Sequence, residues 1–360
     1  IFIFDVGYRP NSYMQHYTKL LLSGTARQST RQRGARWAVA SLAAASAFSW
    51  VAAGNAMASQ APKTLAACNA TDFQTVLRPT PAAPSAAADA APQAIWLNRQ
   101  LLQWPGAPAS GRFKLYHSAN GSLRAPVGGA VTGADGALAL SAHRQPVPDA
   151  AALRFRYVQP GAVLALPRTP PQRLHDLQRA QVLLVQEDAA GHVQRATPLQ
   201  TAGALDDLFA AATRISDLGS RVSPKATQLK LWAPTAQAVH ACLFDTPRGA
   251  AVAAHALQRD ASTGAWLYRH GANLTGHYYS YLVDVFVPGV GLVRNRVTDP
   301  YSISLSADSQ RSYIANLNNP KLKPAGWDQH TMPQRVQAPV DMAIYELHVR
   351  DFSIGDASVP

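Results

Sequence analysis

The sequence is short of charge, of cysteine and of internal repetition, and each shortage excludes a class of protein. Charged residues make up 15% and hydrophobic residues 47% of the 360 positions, which excludes wholesale disorder. Only two cysteines occur, and no Cys/His spacing typical of a zinc site accompanies them. No repeat with a period of about 20–50 residues is visible, which disfavours solenoids and propellers. The length instead predicts two or three ordinary folded domains.

The positive charge is not gathered into a face that would bind nucleic acid. The formal net charge is +12. Residues 1–58 hold six of the 33 basic residues and one of the 21 acidic ones, which leaves 27 basic and 20 acidic residues, a net of +7, for the rest of the chain. The lysines and arginines of that remainder are scattered, whereas nucleic-acid binding needs them clustered. We therefore expect a mildly basic, solvated surface and no nucleic-acid partner.

A secretory signal peptide is predicted near the N-terminus. Four arginines within residues 27–36 form a basic block without an acidic residue, and residues 37–53 then run 17 positions without a charge. Ala56-Met57-Ala58 follows as a small-x-small cleavage site. We expect a start at Met14, cleavage after Ala58 and secretion. A membrane anchor is the alternative, but the uncharged run is shorter than the ~20 apolar residues of a span, so no stable membrane span is expected.

The two cysteines, Cys68 and Cys242, lie far apart in the sequence. An exported protein can join such cysteines in a disulfide, but the sequence leaves the pairing open. Leu65-Ala66-Ala67-Cys68 also resembles a lipoprotein processing site. Polar and proline residues at 60–63 separate it from the apolar run, so lipid anchoring at Cys68 is the less favoured alternative to secretion.

The pattern beyond the signal segment predicts a linker and then a small β domain. Proline and alanine dominate residues 79–92, a composition typical of a linker. From 95 to 200, short apolar segments broken by turn residues predict a mainly β domain. Its candidate strands lie at 112–116, 153–157 and 181–186.

A helix and a second β domain are predicted next. Apolar residues on one face predict a helix over 204–218, with Gly219 as its terminator. Alternate residues from Tyr279 to Val287 share one face of a strand, and residues 288–291 supply a hairpin turn. The candidate strands of this domain lie at 229–232, 239–244, 265–270, 277–287 and 292–297.

Five stretches carry a resemblance to one family. In chain order they are Gln200–Asp207, Leu231–Ala236, Val297–Ser302, Leu322–Asp328 and Ile344–Ser353. Taken together, they resemble pullulanase-type starch-debranching enzymes of the α-amylase superfamily, glycoside hydrolase family 13. The first is similar to the pullulanase domain that precedes a carbohydrate-binding module of family 48. The second and third resemble the opening and the last strands of that module, the fourth the connector after it, and the fifth the first strand of the catalytic barrel.

The resemblance implies a mainly β fold. A signal and linker segment is followed by two β-sandwich-like domains in tandem and by the first strand of a truncated (β/α)8 barrel, at 342–349. The expected boundaries are 1–58 for upstream residues and signal peptide, 59–94 for an N-terminal segment and linker, 95–200 for the pullulanase N-terminal β domain, 201–225 for a helical connector, 226–325 for the immunoglobulin-like family 48 module, 326–340 for a connector and 341–360 for the start of the barrel.

The resemblance also implies an activity for the whole protein. That activity is hydrolysis of α-1,6-glucosidic branch linkages in pullulan, amylopectin and limit dextrins, with retention of configuration. The expected partner is α-glucan polysaccharide, and the expected state is a monomer. No organic cofactor is implied; calcium stays open for the whole enzyme, although no acidic cluster here forms a convincing site. The alternatives are a non-catalytic glucan-binding or docking protein and another debranching or branching enzyme of the superfamily.

Glu346 and Asp351 are the tempting catalytic pair, but their spacing argues against it. A retaining glycosidase needs two carboxyl groups ~5–5.5 Å apart. Five strand residues at ~3.3 Å each would place these two ~16 Å apart and on opposite faces. No Arg-Phe-Asp segment like the family's nucleophile motif occurs in the chain. We therefore assign no catalytic residue and no metal ligand here, and expect the catalytic residues beyond Pro360.

Sugar binding by the family 48 module needs exposed aromatic faces, on which the apolar side of a pyranose ring stacks. Glycogen-binding relatives of this module carry two tryptophans, but the corresponding regions here, Asp245-Thr246-Pro247 and residues 289–292, contain none. Trp266 is the candidate substrate-binding residue, with a core-facing strand position as the alternative. We therefore expect the module to act mainly by docking on the barrel and to bind glucan weakly by itself.

Overall fold

The computed structural model describes residues 63–80, 92–331 and 336–358. The predicted signal peptide at 1–58 and nearly all of the predicted linker at 79–92 lie outside the described residues. The first described elements are a helical segment at 63–68 and the strand β1 (Gln74–Pro79). The chain divides into two compact units after Ala315.

The first β domain is built on one sheet, which has eight strands within the described residues. Its strands run in the order β8-β7-β4-β5-β6-β3-β2-β9, and the β2–β9 pair is parallel. The strand bounds are β2 (Ala94–Trp96), β3 (Leu101–Pro105), β4 (Arg112–Ser118), β5 (Gly136–Ala142), β6 (Gly161–Ala165), β7 (Gln181–Glu187), β8 (Val193–Thr197) and β9 (Leu199–Gln200). The helices of the same stretch are α1 (Asp149–Arg154), α2 (Pro171–Leu177) and α3 (Ala202–Leu208). Trp96, Trp104 and Phe113 lie in its core with residues of α2 and α3.

The second β domain is a sandwich of two antiparallel sheets. One sheet has the order β10-β11-β15-β14, and the other has the order β1-β17-β16-β12-β13 with β18 paired to β16. The bounds are β10 (Gly219–Ser223), β11 (Ala226–Trp232), β12 (Ala238–Phe244), β13 (Ala253–Ala256), β14 (Gln258–Arg259), β15 (Ala265–His270), β16 (Tyr278–Val287), β17 (Gly291–Val297) and β18 (Ser312–Tyr313). Leu231, Trp266 and Tyr281 are among the buried residues of the core between the sheets. The predicted mainly β fold with tandem β domains is confirmed.

Most strands predicted from apolar patterning form where they were expected. The predicted strands at 112–116 and 181–186 lie within β4 and β7, and the five predicted for the second domain correspond to β11, β12, β15, β16 and β17. The predicted hairpin turn at 288–291 also forms. Within it, the Val290 N–H donates to the Val287 carbonyl at 3.1 Å. Gly289 occupies this turn with φ +75°, a conformation that favours glycine.

Two predicted elements of the first unit are wrong. The predicted strand at 153–157 is instead the end of α1 and the turn after it, because Asp149 to Ala152 is rich in alanine, the strongest helix former. The predicted helix at 204–218 is broken into α3 and a 3₁₀ turn at Ala210–Arg214. Phe209 leaves helical geometry between them and stacks on His175, with ring centroids 4.7 Å apart. Tertiary packing of this ring overrides the local helical pattern.

The second unit spans Asn316–Pro360 and holds short helical turns. The predicted barrel strand at 342–349 does not form: residues 342–348 have no ladder partner in the part of the chain that the structure describes. A strand is stabilised by its neighbours in a sheet, so this apolar segment alone stays without regular structure. The turns and the helix α4 are Pro320–Leu322, Trp327–Gln329, Pro339–Asp341 and Val349–Ser353.

Candidate functional site

The segment at 63–80 is joined to the second β domain at two places. Cys68 and Cys242 form a disulfide, with 5.7 Å between their Cα atoms. Strand β1 then pairs antiparallel with β17 and extends that sheet by one strand. Cys68 and Cys242 are buried together with Phe244 and Leu282 in a cluster of their own. The N-terminal segment therefore belongs to the sandwich and covers part of the outer face of one of its sheets.

Asp299 fixes the loop that follows β17. Its carboxylate is 3% exposed and accepts hydrogen bonds from the hydroxyl groups of Tyr279 at 2.7 Å and Tyr281 at 3.2 Å. The same carboxylate accepts the backbone N–H of Tyr301 at 2.8 Å, and the N–H of Ser302 donates to the Asp299 carbonyl. Burial raises the pKa of Asp299 to about 6, although the hydrogen bonds oppose this change. Asp299 and Pro300 thus form a turn that hydrogen bonds to the buried Asp299 carboxylate hold from inside the domain.

An open groove of about 490 Å³ lies between the N-terminal segment and this loop. We call it the Phe73 groove. None of the described residues that line it carries a carboxylate. Its lining includes Phe73, Ser280, Arg296, Thr298, Pro300 and Gln310.

Phe73 and Arg296 form one wall of the Phe73 groove. The Arg296 guanidinium lies over the Phe73 ring, 4.8 Å from its centroid, and the Arg296 N–H donates to the Phe73 carbonyl at 2.7 Å. Phe73 nevertheless remains 56% exposed. Burial lowers the pKa of Arg296. The groove thus presents an exposed aromatic ring beside the Arg296 guanidinium and neutral polar side chains.

Trp266, the candidate substrate-binding residue of the sequence analysis, lies in the sandwich core. It is 6% exposed, and its Nε1 donates to the Ala233 carbonyl at 2.9 Å. A ring in this position has no free face on which a sugar could stack. The structure therefore agrees with the alternative, in which Trp266 occupies a core-facing strand position, and does not support its use as a sugar-binding platform. Trp232, at the end of β11, is half-buried and donates through Nε1 to the Thr263 carbonyl at 2.8 Å.

Glu346 and Asp351, the two carboxyl groups considered as a catalytic pair, both lie in the second unit. Asp351 is bound to the guanidinium of its neighbour Arg350 at 2.8 Å and lies 3.5 Å from His348. Glu346 and Trp327 are exposed. Within 63–80, 92–331 and 336–358, no group of three or more His, Cys, Asp or Glu side chains could hold a metal ion. No helix in the described part of the chain is long and apolar enough to cross a membrane.

Phe73 is the site residue that the sequence analysis missed. The signal was present, because Gln74 to Leu77 contains two β-favouring residues, Thr75 and Val76, just after Cys68. A short run of this kind next to a proline-rich segment reads as part of a linker. Only the pairing with β17 makes it a strand and places Phe73 against Arg296.

The two β domains touch through side chains that sequence patterning does not predict. Gln237 of the second domain donates from Nε2 to the carbonyls of Ala119 and Arg179 in the first, both at 2.9 Å. Gly121 faces Phe286 so closely that a Cβ on this glycine would lie 2.9 Å from the ring. These contacts join the domains within the first unit.

The described part of the chain up to Ala315 is a tandem of two β domains, and each domain matches a family model. Residues 91–207 match the family model of the pullulanase N2 domain, and residues 217–302 match that of carbohydrate-binding module 48, the isoamylase N-terminal domain. The two domains follow each other in the order that the motifs indicated, and the resemblance to the N-terminal part of pullulanases is confirmed.

Individual proteins agree with these two domain matches. A pullulanase from Klebsiella pneumoniae is 32% identical over 272 residues, which is 74% of this chain and 24% of that protein. The chloroplastic pullulanase 1 of Arabidopsis thaliana is 32% identical over 269 residues, 74% of this chain and 27% of that protein. The crystal structure of Klebsiella pneumoniae pullulanase complexed with maltotriose matches with a TM-score of 0.65 and 31% identity, over 75% of this chain and 26% of that one. The chain thus spans about a quarter of the length of these relatives.

Proposed function

We propose that this chain is the non-catalytic N-terminal region of a pullulanase that hydrolyses α-1,6-glucosidic linkages in pullulan, amylopectin and limit dextrins with retention of configuration. The observation that carries the proposal is the order of the two matched domains, a pullulanase N2 domain followed by a carbohydrate-binding module 48. Pullulanases from a bacterium and a plant share this region at 32% identity. The role of the region is to hold α-glucan near a catalytic domain and to dock on that domain.

The catalytic carboxyl groups are proposed to lie outside these 360 residues. The state of the nearest candidates supports this: Asp351 is bound by Arg350, and Glu346 lies exposed in a segment without regular structure. A retaining mechanism needs two carboxyl groups held at a fixed separation of ~5–5.5 Å. Residues 342–348 lack the neighbouring strands that would hold one of them.

A second candidate function is that of a glucan-binding or docking protein without hydrolase activity. The Phe73 groove favours it, because an exposed aromatic ring beside Arg296 and without a carboxylate suits binding alone. The two candidates predict the same behaviour for the isolated chain. They differ in whether a protein that continues beyond Pro360 hydrolyses pullulan.

Export through a signal peptide is part of the proposal. Two observations support it: the order of basic block, apolar run and Ala56-Met57-Ala58 in the sequence, and the disulfide between Cys68 and Cys242. Disulfides form and persist in oxidising compartments outside the cytosol. Lipid attachment at Cys68 is incompatible with this disulfide, because both use the same sulfur atom.

The test compares two proteins made from the same reading frame. One consists of residues 59–360, and the other extends further downstream by ~450 residues. That extension is long enough to include a complete barrel of ~250 residues. Reducing-sugar release from pullulan is measured for both. We expect release only from the extended protein. Release by residues 59–360 that is lost in E346Q or D351N would overturn the placement of the catalytic groups. An extended protein that binds pullulan without cleaving it would favour the second candidate.

A further inference from the structure

We propose that the Phe73 groove is a binding subsite for a glucosyl residue of a linear α-1,4-glucan, formed jointly by the N-terminal segment and the carbohydrate-binding module. This inference rests on the proposed function, since it assigns the glucan contact of the region to particular residues. Its central side chain, Phe73, lies outside both 217–302 and the expected module boundaries of 226–325.

The aromatic wall is held in place before any ligand arrives. The Arg296 guanidinium lies 4.8 Å from the centroid of the Phe73 ring, and the backbone N–H of Arg296 donates to the Phe73 carbonyl at 2.7 Å. Strand β1, which begins at the next residue, is fixed to β17. Phe73 still leaves 56% of its surface exposed, although a phenyl ring gains free energy when it is removed from water. A pyranose ring offers the apolar face that such a ring can bury.

Two polar atoms of the residues that line the groove lack a hydrogen-bond partner among the described residues, and sugar hydroxyl groups can act as such partners. Ser280 is 1% exposed, and its Oγ has no hydrogen-bond partner among the described residues. The Nε of Arg296 is likewise buried without a partner in the described part of the chain. A buried polar group without a hydrogen bond is costly, and because both atoms are almost wholly inaccessible, a ligand hydroxyl group removes that cost only when the wall of the groove shifts to admit it. Thr298 and Gln310 add further donors and acceptors to the lining.

The volume of the groove and the charge of its lining restrict the class of ligand that it can bind. A volume of about 490 Å³ falls within the usual range of small-molecule sites, about 300–1,000 Å³. The lining carries Arg296 and no carboxylate, so a cationic ligand finds no partner there, and the exposed Phe73 ring favours a ligand with an apolar face over a compact inorganic anion. A neutral polyol with one apolar face fits both the ring and the hydroxyl groups. In the context of a pullulanase-type region, that polyol is a unit of α-glucan.

The composite origin of the groove explains how a module without the two sugar-stacking tryptophans can contact glucan. The aromatic ring comes from a segment that lies more than a hundred positions earlier and that the Cys68–Cys242 disulfide attaches to the sandwich. The expectation of weak binding concerned the module alone, which has no Phe73 wall. The subsite exists only where the N-terminal segment is attached.

The test is isothermal titration of maltoheptaose into residues 59–360, with wild type, F73A, F73Y and Q310A. We expect F73A to weaken binding about tenfold or more, because the loss of a buried ring corresponds to at least one decade in the dissociation constant. F73Y, which keeps the aromatic face, should bind within about threefold of wild type. Q310A should weaken binding less than F73A does.

Tyr157 offers a matched control. It is 82% exposed, and the guanidinium of Arg156 lies 4.8 Å from its ring centroid, the same distance as in the Phe73–Arg296 pair. It does not line the Phe73 groove. Y157A should therefore bind maltoheptaose as wild type does. Because Phe73 and Tyr157 are both exposed, neither substitution should prevent folding, and circular dichroism checks this.

Equal affinity of wild type and F73A would overturn the subsite, as would wild-type protein that binds no maltoheptaose. An equal loss in Y157A and F73A would also overturn it, because the effect would then not belong to the groove. None of these results decides whether the proposed function is right. That question is tested independently, by measuring whether the extended protein hydrolyses pullulan. Failure of the subsite and failure of the proposed function are thus separate outcomes.

Discussion

Cys68 and Cys242, 174 positions apart, are bonded to each other and attach the N-terminal segment to the second β domain. The disulfide fixes the segment to β12, and six residues after Cys68 the segment pairs with β17 as β1, so a covalent bond and a hydrogen-bonded ladder hold the same segment. The two attachments support each other. A strand of six residues at the edge of a sheet is weakly held by itself, and the nearby disulfide keeps it close to its partner.

We predict that the double variant C68A/C242A unfolds at lower denaturant concentration than wild type. Closing a long loop by a disulfide restricts the unfolded chain, and its loss typically lowers the free energy of unfolding by about 2–5 kcal/mol. Urea unfolding followed by tryptophan fluorescence measures the change. Wild type in reducing agent should resemble the variant, whereas the variant itself should not respond to reductant. Equal stability of oxidised wild type and variant would contradict the prediction.

We predict that the stability of the protein depends on pH through Asp299. Its pKa in the folded state is about 6, above the ordinary value of 3.8. An acid whose pKa is raised by folding contributes stability that is fully present below pH 3.8 and is lost as the pH rises through about 6. The raised pKa corresponds to at most ~3 kcal/mol between these limits.

The variant D299N tests this, because an amide does not titrate. Unfolding free energies are measured for both proteins at intervals from pH 4 to 7. The difference between wild type and D299N should shift in favour of wild type as the pH falls through 6. A difference that stays constant over this range would show that the carboxyl group does not titrate there. Other carboxylates affect both proteins equally and cancel in the comparison.

We predict that W266F lowers stability and leaves glucan binding unchanged. The substitution removes the hydrogen bond from Trp266 Nε1 to the Ala233 carbonyl, which costs about 0.5–1.5 kcal/mol, while the Ala236 N–H still donates to that carbonyl at 3.1 Å. Thermal unfolding measures the loss, and titration with maltoheptaose is performed where both proteins are folded. A folded W266F that no longer binds would restore Trp266 as a sugar platform.

We predict that G121A destabilises the contact between the two β domains. A Cβ at this position would lie 2.9 Å from the Phe286 ring, closer than packed atoms allow, so one side must move. Gly128 is the matched control, because its φ of +81° resembles the +72° of Gly121 but a Cβ on Gly128 would meet no atom within 4 Å. Both variants carry the backbone strain of a left-handed residue. G121A should therefore lose about 1–3 kcal/mol more than G128A in thermal unfolding, and equal losses would contradict the contact.

We predict that the mature protein starts at Ser59. Expression from Met14 in a bacterial host, followed by N-terminal sequencing of the exported material, tests the proposed cleavage after Ala58. Retention of Met14 on protein found in the cytosol would contradict export. A lipid on Cys68 would contradict both secretion and the disulfide.

The sequence by itself determined the strands whose side chains alternate and the motifs at their ends. Tyr279 to Val287 alternates so regularly that the face turned to the sandwich core follows from local chemistry, although the other face of the strand is buried as well. The Asp299-Pro300 turn follows from the restricted backbone of proline and the residue before it. Such features depend on residues within a few positions of one another, and the same locality made the family motifs readable.

Only the tertiary structure decided which distant residues meet. The pairing of Cys68 with Cys242, the addition of β1 to β17 and the placement of Phe73 over Arg296 join parts of the chain more than 170 positions apart. The burial of Trp266 and the break at Phe209 likewise depend on partners from other elements. A strand forms only with a neighbour and a ring is buried only by what packs on it, so these outcomes are properties of the assembled sheets and not of the local sequence.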